Sequence, residues 1–272
     1  RDYYASRGLG DVYKRQEVPE DASCVVINAP TSDFSADDTE KMLSYMEKGG
    51  DIFFVSCYTG EAHENIDRLL DYYGVNVKEG LIIETDRGHY YQDPFYILPE
   101  ISYDDITSGI YNNGSYAFAP YAQGITTEEK EDVTIAELLS SSDNSYLRND
   151  ISGVDSYEKQ DSDEDGPFLI GVKCEKSAGE ETSTAIIYTS SNMFTNDANM
   201  IVSGTNVKLF TASLGTFASH ETSVSIPVKS MEADYLTVPQ GTIMIIALVT
   251  VVLLPVLFIV GGFIVWFRRR KK

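Results

Sequence analysis

The apolar positions of the first half of the chain form short continuous runs separated by amphipathic stretches. Residues 24–29 and 52–55 are two such runs, and each has the length of a strand that is buried on both faces. Between them, Ser35 precedes an acid-rich turn and apolar positions at helical spacing, which end at Gly49 and Gly50. Strand, helix and strand in this order predict a right-handed parallel crossover unit.

The same periodicities predict further strands and helices downstream. Residues 62–73 carry apolar side chains at positions i, i+3, i+4 and i+7, which predict a second helix before Gly74. A helix is also predicted at 206–219, and its expected buried face consists of Val207, Phe210, Leu214 and Phe217. Apolar runs predict strands at 75–77, 81–84, 168–174 and 184–189, with a strand or a short helix at 133–139.

The middle of the chain is richer in Tyr, Asp, Ser and Asn. Asn112, Asn113 and Gly114 lie between two aromatic stretches and predict a tight hairpin turn. Residues 140–166 are polar with few large aliphatic side chains, so we expect a mobile acidic loop there. The predicted fold class is therefore α/β, with a parallel sheet and an inserted or appended β-rich part.

The last apolar segment, residues 241–267, contains no charged side chain and exceeds the roughly 20 residues that a helix needs to cross a bilayer. A buried core helix is the alternative, but such helices keep a polar stripe and this segment has none. Cations follow directly, and the expected membrane-anchor residues are Trp266, Arg268, Arg269 and Arg270. Because cations beside a span are retained in the cytoplasm, we predict a single-pass protein of the cell membrane with an extracellular amino-terminal domain.

Charge and composition divide the rest of the chain. Residues 1–16 are basic, in contrast to the acidic segment after them, so we interpret them as a non-native leader. Residues 17–227 form the predicted extracytoplasmic domain, 228–240 a linker and 268–272 a cytoplasmic basic tail. A formal net charge of −21 excludes nucleic acid as a partner. Three cysteines are too few for a disulfide framework, so a hydrophobic core has to stabilise the domain.

Open parallel sheets bind ligands beyond the carboxyl ends of their strands. Here the loops that follow the first two strands occupy this position. The predicted ligand or partner site therefore consists of Asn28, Thr31, Cys57, Tyr58 and Thr59.

Cys57 also follows a strand in the way that an amidotransferase-type nucleophile does, and its nominal partners are His63, His89 and Glu84. A nucleophile on such a strained turn needs flanking glycines, whereas the positions two residues to either side are Val55 and Thr59. We therefore interpret Cys57 as a structural thiol and predict no catalytic residues.

Metal and cofactor motifs are incomplete in this sequence. Asp161, Asp163 and Asp165 before Gly166 reproduce the first half of a calcium loop, but Val172 stands where a bidentate Glu is needed, so only weak calcium binding is expected. The histidines lack zinc-site spacing, and no glycine-rich phosphate loop occurs. We predict no metal and no cofactor.

The sequence resembles a bacterial family, the GldG-like auxiliary components of ABC-type transport systems. The resemblance lies in the acidic, proline-containing segment 18–22, the turn at Pro30, the acid-rich helix ending at Gly49 and Gly50, the helix end 69–75, and the stretches 165–168, 188–194 and 225–227. It implies a Rossmann-like or flavodoxin-like domain related to the class I glutamine amidotransferases. It also implies a non-catalytic accessory role beside an ABC permease and its ATPase.

Two other functions fit the same residues. One is a membrane-tethered amidotransferase-like or hydrolase-like enzyme that uses Cys57, and the other is a surface binding module unrelated to transport. The sequence leaves open the transported substrate, the native amino terminus, the oligomeric state and whether the domain binds a small molecule or a protein.

Overall fold

The computed structural model of this chain describes residues 17–19, 22–149, 151, 156–179, 181–217 and 238–270. The predicted leader 1–16 lies outside the described residues, and so does most of the predicted linker 228–240. The described part contains a mixed α/β region followed by one long apolar helix.

The strands are, in chain order, β1 (Val25–Asn28), β2 (Ile52–Val55), β3 (Val75–Val77), β4 (Leu81–Glu84), β5 (Tyr96–Ile97), β6 (Glu100–Ile101), β7 (Ala119–Pro120), β8 (Ile125–Thr127), β9 (Val133–Ser140), β10 (Ser145–Arg148), β11 (Glu164–Asp165), β12 (Leu169–Ala178) and β13 (Glu181–Tyr188). The helices are α1 (Ala36–Met46), α2 (Glu64–Asp71), α3 (Asn196–Ile201), α4 (Thr205–Phe217) and α5 (Gln240–Arg270), and α5 contains a π-helical segment, Leu248–Leu253. The strands predicted at 75–77, 81–84, 168–174 and 184–189 are confirmed as β3, β4, β12 and β13. The segment 133–139 is a strand, and the second predicted helix is α2.

The predicted crossover unit is confirmed, since β1, α1 and β2 follow one another and the two strands pair in parallel. Ser35 caps α1, because its Oγ accepts a hydrogen bond of 3.1 Å from the backbone N of Asp38. Gly49 ends the turn after α1 with a φ of +87°, and a Cβ at this position would lie 2.7 Å from the Cβ of Glu181. Both its conformation and its close approach to β13 therefore require glycine.

Among the described strands, parallel pairing is limited to three neighbours in the main sheet, β1, β2 and β13. The order across this sheet is β1-β2-β13-β12-β8-β3, and β9 pairs with both β12 and β6. The described pairings beyond β13 are antiparallel, so the prediction of a parallel sheet is wrong for the larger part. An apolar run could not reveal this, because a strand buried on both faces has the same composition in either orientation.

Alternate residues of β2 and β13 point into two hydrophobic clusters on opposite faces of the main sheet. Phe53 and Tyr188 pack in the cluster that α4 covers, whereas Phe54 and Ile187 pack in the cluster that α1 and α2 cover. Because both faces are covered, the two strands need continuous apolar sequence.

Strand β1 lies at the edge of the sheet, and the prediction that it is buried on both faces is wrong. Val26 is 53% exposed, whereas its neighbour Ile27 is 8% exposed. An edge position depends on the order of the strands across the sheet, which the apolar run does not encode.

The predicted mobile loop 140–166 contains a buried strand, so that prediction is also wrong. Strand β10 pairs antiparallel with β4, and all four of its residues are buried. The polar groups beside it have partners inside the protein: Ser142 Oγ, for example, donates to Glu84 Oε1 at 2.8 Å. Because these partners lie far away in sequence, the polar composition alone did not indicate that the segment contains a buried strand.

The predicted hairpin around residues 112–114 is wrong, because this stretch ends a series of consecutive turns at 105–114 instead of joining two strands. Asn113 Nδ2 donates to the backbone O of Gly109 at 2.8 Å, and Asn112 and Gly114 adopt positive φ values. Asn and Gly are common in both types of turn, so the sequence did not distinguish them.

Helix α4 matches the predicted helix 206–219, but its buried face is partly different. Phe217 is buried as predicted, whereas Val207 is 47% exposed. The polar residue Asn206 is buried instead, and its Nδ2 donates to the backbone oxygens of Phe118 and Met193 at 2.8 Å and 2.6 Å. Asn206 is buried because its hydrogen bonds join three segments, and hydrophobic periodicity does not indicate such a polar position.

Helix α5 has the length and the composition of a membrane span. It covers 31 residues, and its most apolar 18-residue window has a mean hydropathy of 3.2 and is not buried against the described protein. Near its end, the guanidinium carbon of Arg270 lies 5.1 Å from the centre of the Trp266 ring, and Arg268 and Arg269 belong to the same last turn. This helix is consistent with membrane anchoring.

Candidate functional site

A cavity of about 100 Å³ lies at the carboxyl end of β2, where the following loop meets the start of α2. Of the predicted site residues, the structure brings Cys57, Tyr58 and Thr59 together in the wall of this cavity. Asn28 and Thr31 are exposed and do not line it, although their neighbour Pro30 does.

A polar network links three segments of the chain at this cavity. Ser56 Oγ donates a hydrogen bond to Gln123 Oε1, and Gln123 Nε2 donates to the backbone O of Lys78 at 3.0 Å. Both side chains are buried, at 6% and 7% exposure. The network joins the end of β2 to the segment before β8 and to the turn after β3, so it fixes the shape of the cavity.

The outer part of the cavity is held by side chains of the loop after β2. Tyr58 OH donates to the backbone O of Asn149 at 3.1 Å, which ties this loop to the end of β10. Thr59 Oγ1 lies 3.3 Å from His63 Nε2, and His63 is the residue immediately before α2. The imidazole therefore contacts a hydroxyl group of its own loop.

The described residues give Cys57 no hydrogen bond to any of its nominal catalytic partners. Its Sγ donates only a weak hydrogen bond to the backbone O of Tyr58, at 3.8 Å. The nominal acid Glu84 accepts hydrogen bonds from Ser142 and from the backbone N of Asp86, and His89 Nε2 lies 3.8 Å from Glu100. His63 lines the same cavity as Cys57 but pairs with Thr59, and no described hydrogen bond or ion pair joins Cys57 to His63, His89 or Glu84.

Acidic groups predominate among the charged side chains that line the cavity, whose other lining residues are apolar or neutral. Asp67 is partly buried there, and loss of hydration raises the pKa of its carboxyl group while the nearby His63 opposes this rise. Glu61 and Glu79 also line the cavity, and the ammonium group of Lys78 is already paired with Glu164 at 3.0 Å. This arrangement suits a neutral polar or cationic group better than an anion.

Asp33 connects the loop after β1 to the first turn of α2. Its carboxylate accepts hydrogen bonds from the backbone N of Phe34, Asn65 and Ile66 and from Asn65 Nδ2, at 2.9–3.1 Å. Although desolvation opposes the effect, these hydrogen bonds hold the pKa of Asp33 below its usual range. The carboxylate therefore caps α2 from a distant segment and positions the loop that borders the cavity.

Asp33→Ala is expected to lower the free energy of unfolding by about 1–2 kcal/mol, because it removes the cap of α2. Because the folded pKa is depressed, this contribution is present above the unfolded pKa of about 3.9 and disappears as the pH falls through the folded value. Urea unfolding followed by circular dichroism at pH 7 and pH 3 would measure it. Asp37→Ala, which removes an exposed partner of Lys41, is the control and should change the stability by less than about 0.5 kcal/mol.

The three carboxylates of the weak calcium candidate do not converge. Asp163 is buried beside Arg148, Asp165 pairs with Lys159, and Asp161 is exposed. Within the described ranges, no group of three or more His, Cys, Asp or Glu side chains is placed to hold a metal ion. Asp163 and Asp165 therefore pair with different cations and do not form a common metal site.

Gln123 and Asp33 are among the residues around the site that the sequence interpretation missed. Gln123 lies between two very short strands, β7 and β8, where no periodicity marks it. Asp33 precedes α1, yet it caps α2, and a capping role across 32 residues leaves no local signal.

The described residues form a mixed α/β domain with a small cavity at the carboxyl end of β2, and the charged groups of this cavity are mainly acidic. Residues 12–140, just under half of the chain, match the family model of the IFT52 GIFT domain. The solved structure of the mmIFT52 N-terminal domain is 16% identical and has a TM-score of 0.53, and the similarity covers 75% of this chain and 80% of that chain. This likeness is one of fold.

A ThuA-like protein from Bacteroides uniformis is 13% identical over 75% of this chain and 72% of that chain, but the TM-score of 0.40 is too low to support an argument. No curated protein matches the chain.

The predicted role as an accessory subunit of an ABC-type transport system is wrong, and so is the prediction of an ABC permease and ATPase as partners. The family model that matches is the IFT52 GIFT domain, and the similar solved structure is that of the IFT52 N-terminal domain. The GldG-like resemblance rested on a strand-helix-strand pattern with an acidic helix start. Such patterns recur among α/β proteins of unrelated function.

Proposed function

We propose that this protein is a membrane-anchored, non-catalytic subunit of a multiprotein transport assembly, and that its α/β domain binds a partner protein at the cavity beside Cys57. The similarity to IFT52, an intraflagellar-transport protein, supports a role in a transport assembly. The matched residues 12–140 include the loop after β2 and Gln123, so the cavity lies largely within the matched segment.

The observation that carries this proposal is the size of the cavity. Sites for cofactors and drug-sized ligands usually enclose about 300–1,000 Å³, whereas this cavity has about 100 Å³. A volume of this size accommodates a single side chain, and the acidic lining favours a Lys, Arg or amide group of a partner. Asn28 and Thr31 are exposed on the preceding loop and are proposed to contribute to the rim of the contact.

The absence of catalysis is part of the proposal. Among the described residues, the hydrogen bond of the Cys57 thiol goes to a backbone oxygen of its own loop, and His63 lies beside the Thr59 hydroxyl group. The three parallel strands with covering helices support a distant relationship to Rossmann-like or flavodoxin-like folds, but that relationship brings no activity with it.

The proposed membrane topology places the α/β domain outside the cytoplasm. Its basis is the cluster Arg268, Arg269 and Arg270 at the end of α5, with Trp266 at the level where aromatic side chains favour the interface. The single described span would then hold the domain close to the membrane.

Photo-crosslinking in native membranes would test partner binding. A photoreactive phenylalanine analogue at the exposed position of Glu61, in the cavity wall, is expected to give a crosslinked species of defined mass. The same analogue at Tyr103, which is 68% exposed and outside the cavity lining, should not give that species. Mass spectrometry of the adduct identifies the partner.

A cavity-filling variant provides a sharper control. Ala62→Trp is expected to reduce the crosslink at least about fivefold, because the indole ring occupies space that the partner needs. Ala36→Trp introduces the same side chain at an exposed alanine elsewhere and should leave the yield unchanged. Equal crosslinking from positions 61 and 103, or an unchanged yield in Ala62→Trp, would contradict the proposal.

A further inference from the structure

The start of α5 is docked on the loop that follows β4. The backbone N of Gly241 donates to the backbone O of Arg87 at 2.8 Å, and the backbone N of Gln240 donates to the backbone O of Tyr90 at 3.4 Å. Arg87 Nη1 also lies 2.7 Å from the sulfur of Met244, one turn further along the helix. The domain is therefore held directly against the helix, and Arg87 extends beside it.

The length of α5 indicates how deep Arg87 lies. A helix of 31 residues is about 46 Å long, which matches the roughly 40–45 Å of a bilayer including its headgroup regions. With its last turn at one interface, Gln240 lies at the opposite headgroup boundary and Met244 about 6 Å deeper. The Arg87 guanidinium beside Met244 is thus at the depth of the lipid phosphates.

Arg87 has hydrogen-bonding capacity that this environment does not use. Its side chain is exposed, and within the part of the chain that the structure describes no ion pair involves it. By contrast, Arg68 pairs with Glu40 and Arg148 pairs with Asp163. A guanidinium carries five N–H donors, and the Met244 sulfur is only a weak acceptor.

We propose that Arg87 binds the phosphate group of a phospholipid and thereby fixes the orientation of the α/β domain on the membrane. The inference rests on the proposed membrane anchoring. A guanidinium binds phosphate with paired hydrogen bonds, and the interaction is strongest where water is partly excluded. The chain as a whole is acidic, so an anionic membrane surface repels it. The cationic side chain of Arg87 supplies an attraction that keeps the loop after β4 at the membrane.

Local fluorescence quenching tests the proposal in the full chain. Gly88→Cys in a Cys57→Ser background carries a bimane probe beside Arg87, and the nanodiscs contain a diacylglycerol with a spin label near the headgroup end of one acyl chain. We expect strong quenching with Arg87 present and at least about threefold weaker quenching in Arg87→Ala. Arg87→Lys, which keeps the charge, should retain part of it.

The choice of lipid separates phosphate binding from other contacts. In nanodiscs of phosphatidylcholine or phosphatidylglycerol the Arg87→Ala effect should be present, and in discs of a phosphate-free glycosyl diacylglycerol it should disappear. Arg68→Ala, which removes a paired arginine of α2, serves as the matched control and should have no effect. An Arg87→Ala effect of equal size in the phosphate-free discs would overturn the proposal.

A second probe position distinguishes this inference from the anchoring on which it rests. Phe258→Cys places the probe in the middle of α5, where the native side chain is 74% exposed, and for this variant the spin label lies near the methyl end of the acyl chain. Quenching at position 258 together with no Arg87 dependence at position 88 overturns the phosphate site and leaves the anchor intact. No quenching at position 258 overturns both.

Discussion

Asp163→Ala is expected to lower the free energy of unfolding by about 3–5 kcal/mol, because it leaves the Arg148 guanidinium buried without a counter-charge. Arg148 Nη2 lies 2.7 Å from Asp163 Oδ2, and the two side chains are only 4% and 2% exposed. Arg148 also donates to the backbone oxygens of Ser156 and Glu158, at 3.0 Å and 2.7 Å. Loss of the pair should therefore destabilise the packing of residues 156–158 as well as that of strand β10.

Urea unfolding of the full chain in nanodiscs, followed by circular dichroism, would measure this loss. Asp165→Ala is the matched control, since Asp165 is an exposed carboxylate paired with Lys159, and its removal should cost less than about 1 kcal/mol. Equal effects of the two substitutions would show that the Arg148 pair contributes no more than a surface pair.

The stability that Asp163 provides should depend on pH with a defined sign. The hydrogen bonds from Arg148 hold the pKa of Asp163 below its usual range. The contribution is thus complete above the unfolded pKa of about 3.9 and is lost as the pH falls through the folded value. The difference between wild type and Asp163→Ala should shrink as the pH is lowered from 5 towards 2.

Maleimide at pH 7.5 is expected to label the folded chain once, at Cys57. Burial, with a smaller effect of Asp51, raises the pKa of Cys24 to about 11, and burial raises that of Cys174 to about 12. Relative to a thiol with the ordinary pKa of 9.0, the reactive thiolate fraction is then on the order of 100-fold lower for Cys24 and 1,000-fold lower for Cys174. Cys57 lies instead in the wall of an open cavity.

Intact-mass spectrometry would count the labels. Cys57→Ser should abolish rapid labelling, Cys24→Ser should leave it unchanged, and unfolding in urea should raise the count from one to three. Rapid labelling that persists in Cys57→Ser would contradict this assignment. A bulky maleimide at Cys57 should also reduce the crosslink from position 61, because it fills the proposed partner site.

Elements whose partners are close in sequence could be predicted well. The β1-α1-β2 unit is fixed by an apolar run, the Ser35 cap and the glycines after α1, all within one crossover. The rule that ligand sites lie beyond the carboxyl ends of parallel strands predicted a site in the loop after β2. Cys57, Tyr58 and Thr59 of this loop line a cavity.

Features that depend on distant partners could not be predicted. The segment around strand β10 has a polar sequence that does not suggest a core element. It can be buried because Glu84 and Asp163, on other segments, pair with its polar groups. The antiparallel part of the sheet and the capping of α2 by Asp33 have the same origin. In each case a long-range contact satisfies a group that looks exposed when the sequence is considered alone.

The central position of β13 has a consequence for how the chain folds. This strand lies between β2 and β12, and its register places Ala185 beside Ile52, so the sheet depends on a contact of very high sequence separation. Folding should therefore be slow for a domain of this size. A chain interrupted before residue 181 would leave the hydrogen-bonding edge of β2 open, with four apolar residues on it, and such an edge favours aggregation. Strand β2 of the first half thus gains its second neighbouring strand only after the second half has been synthesised.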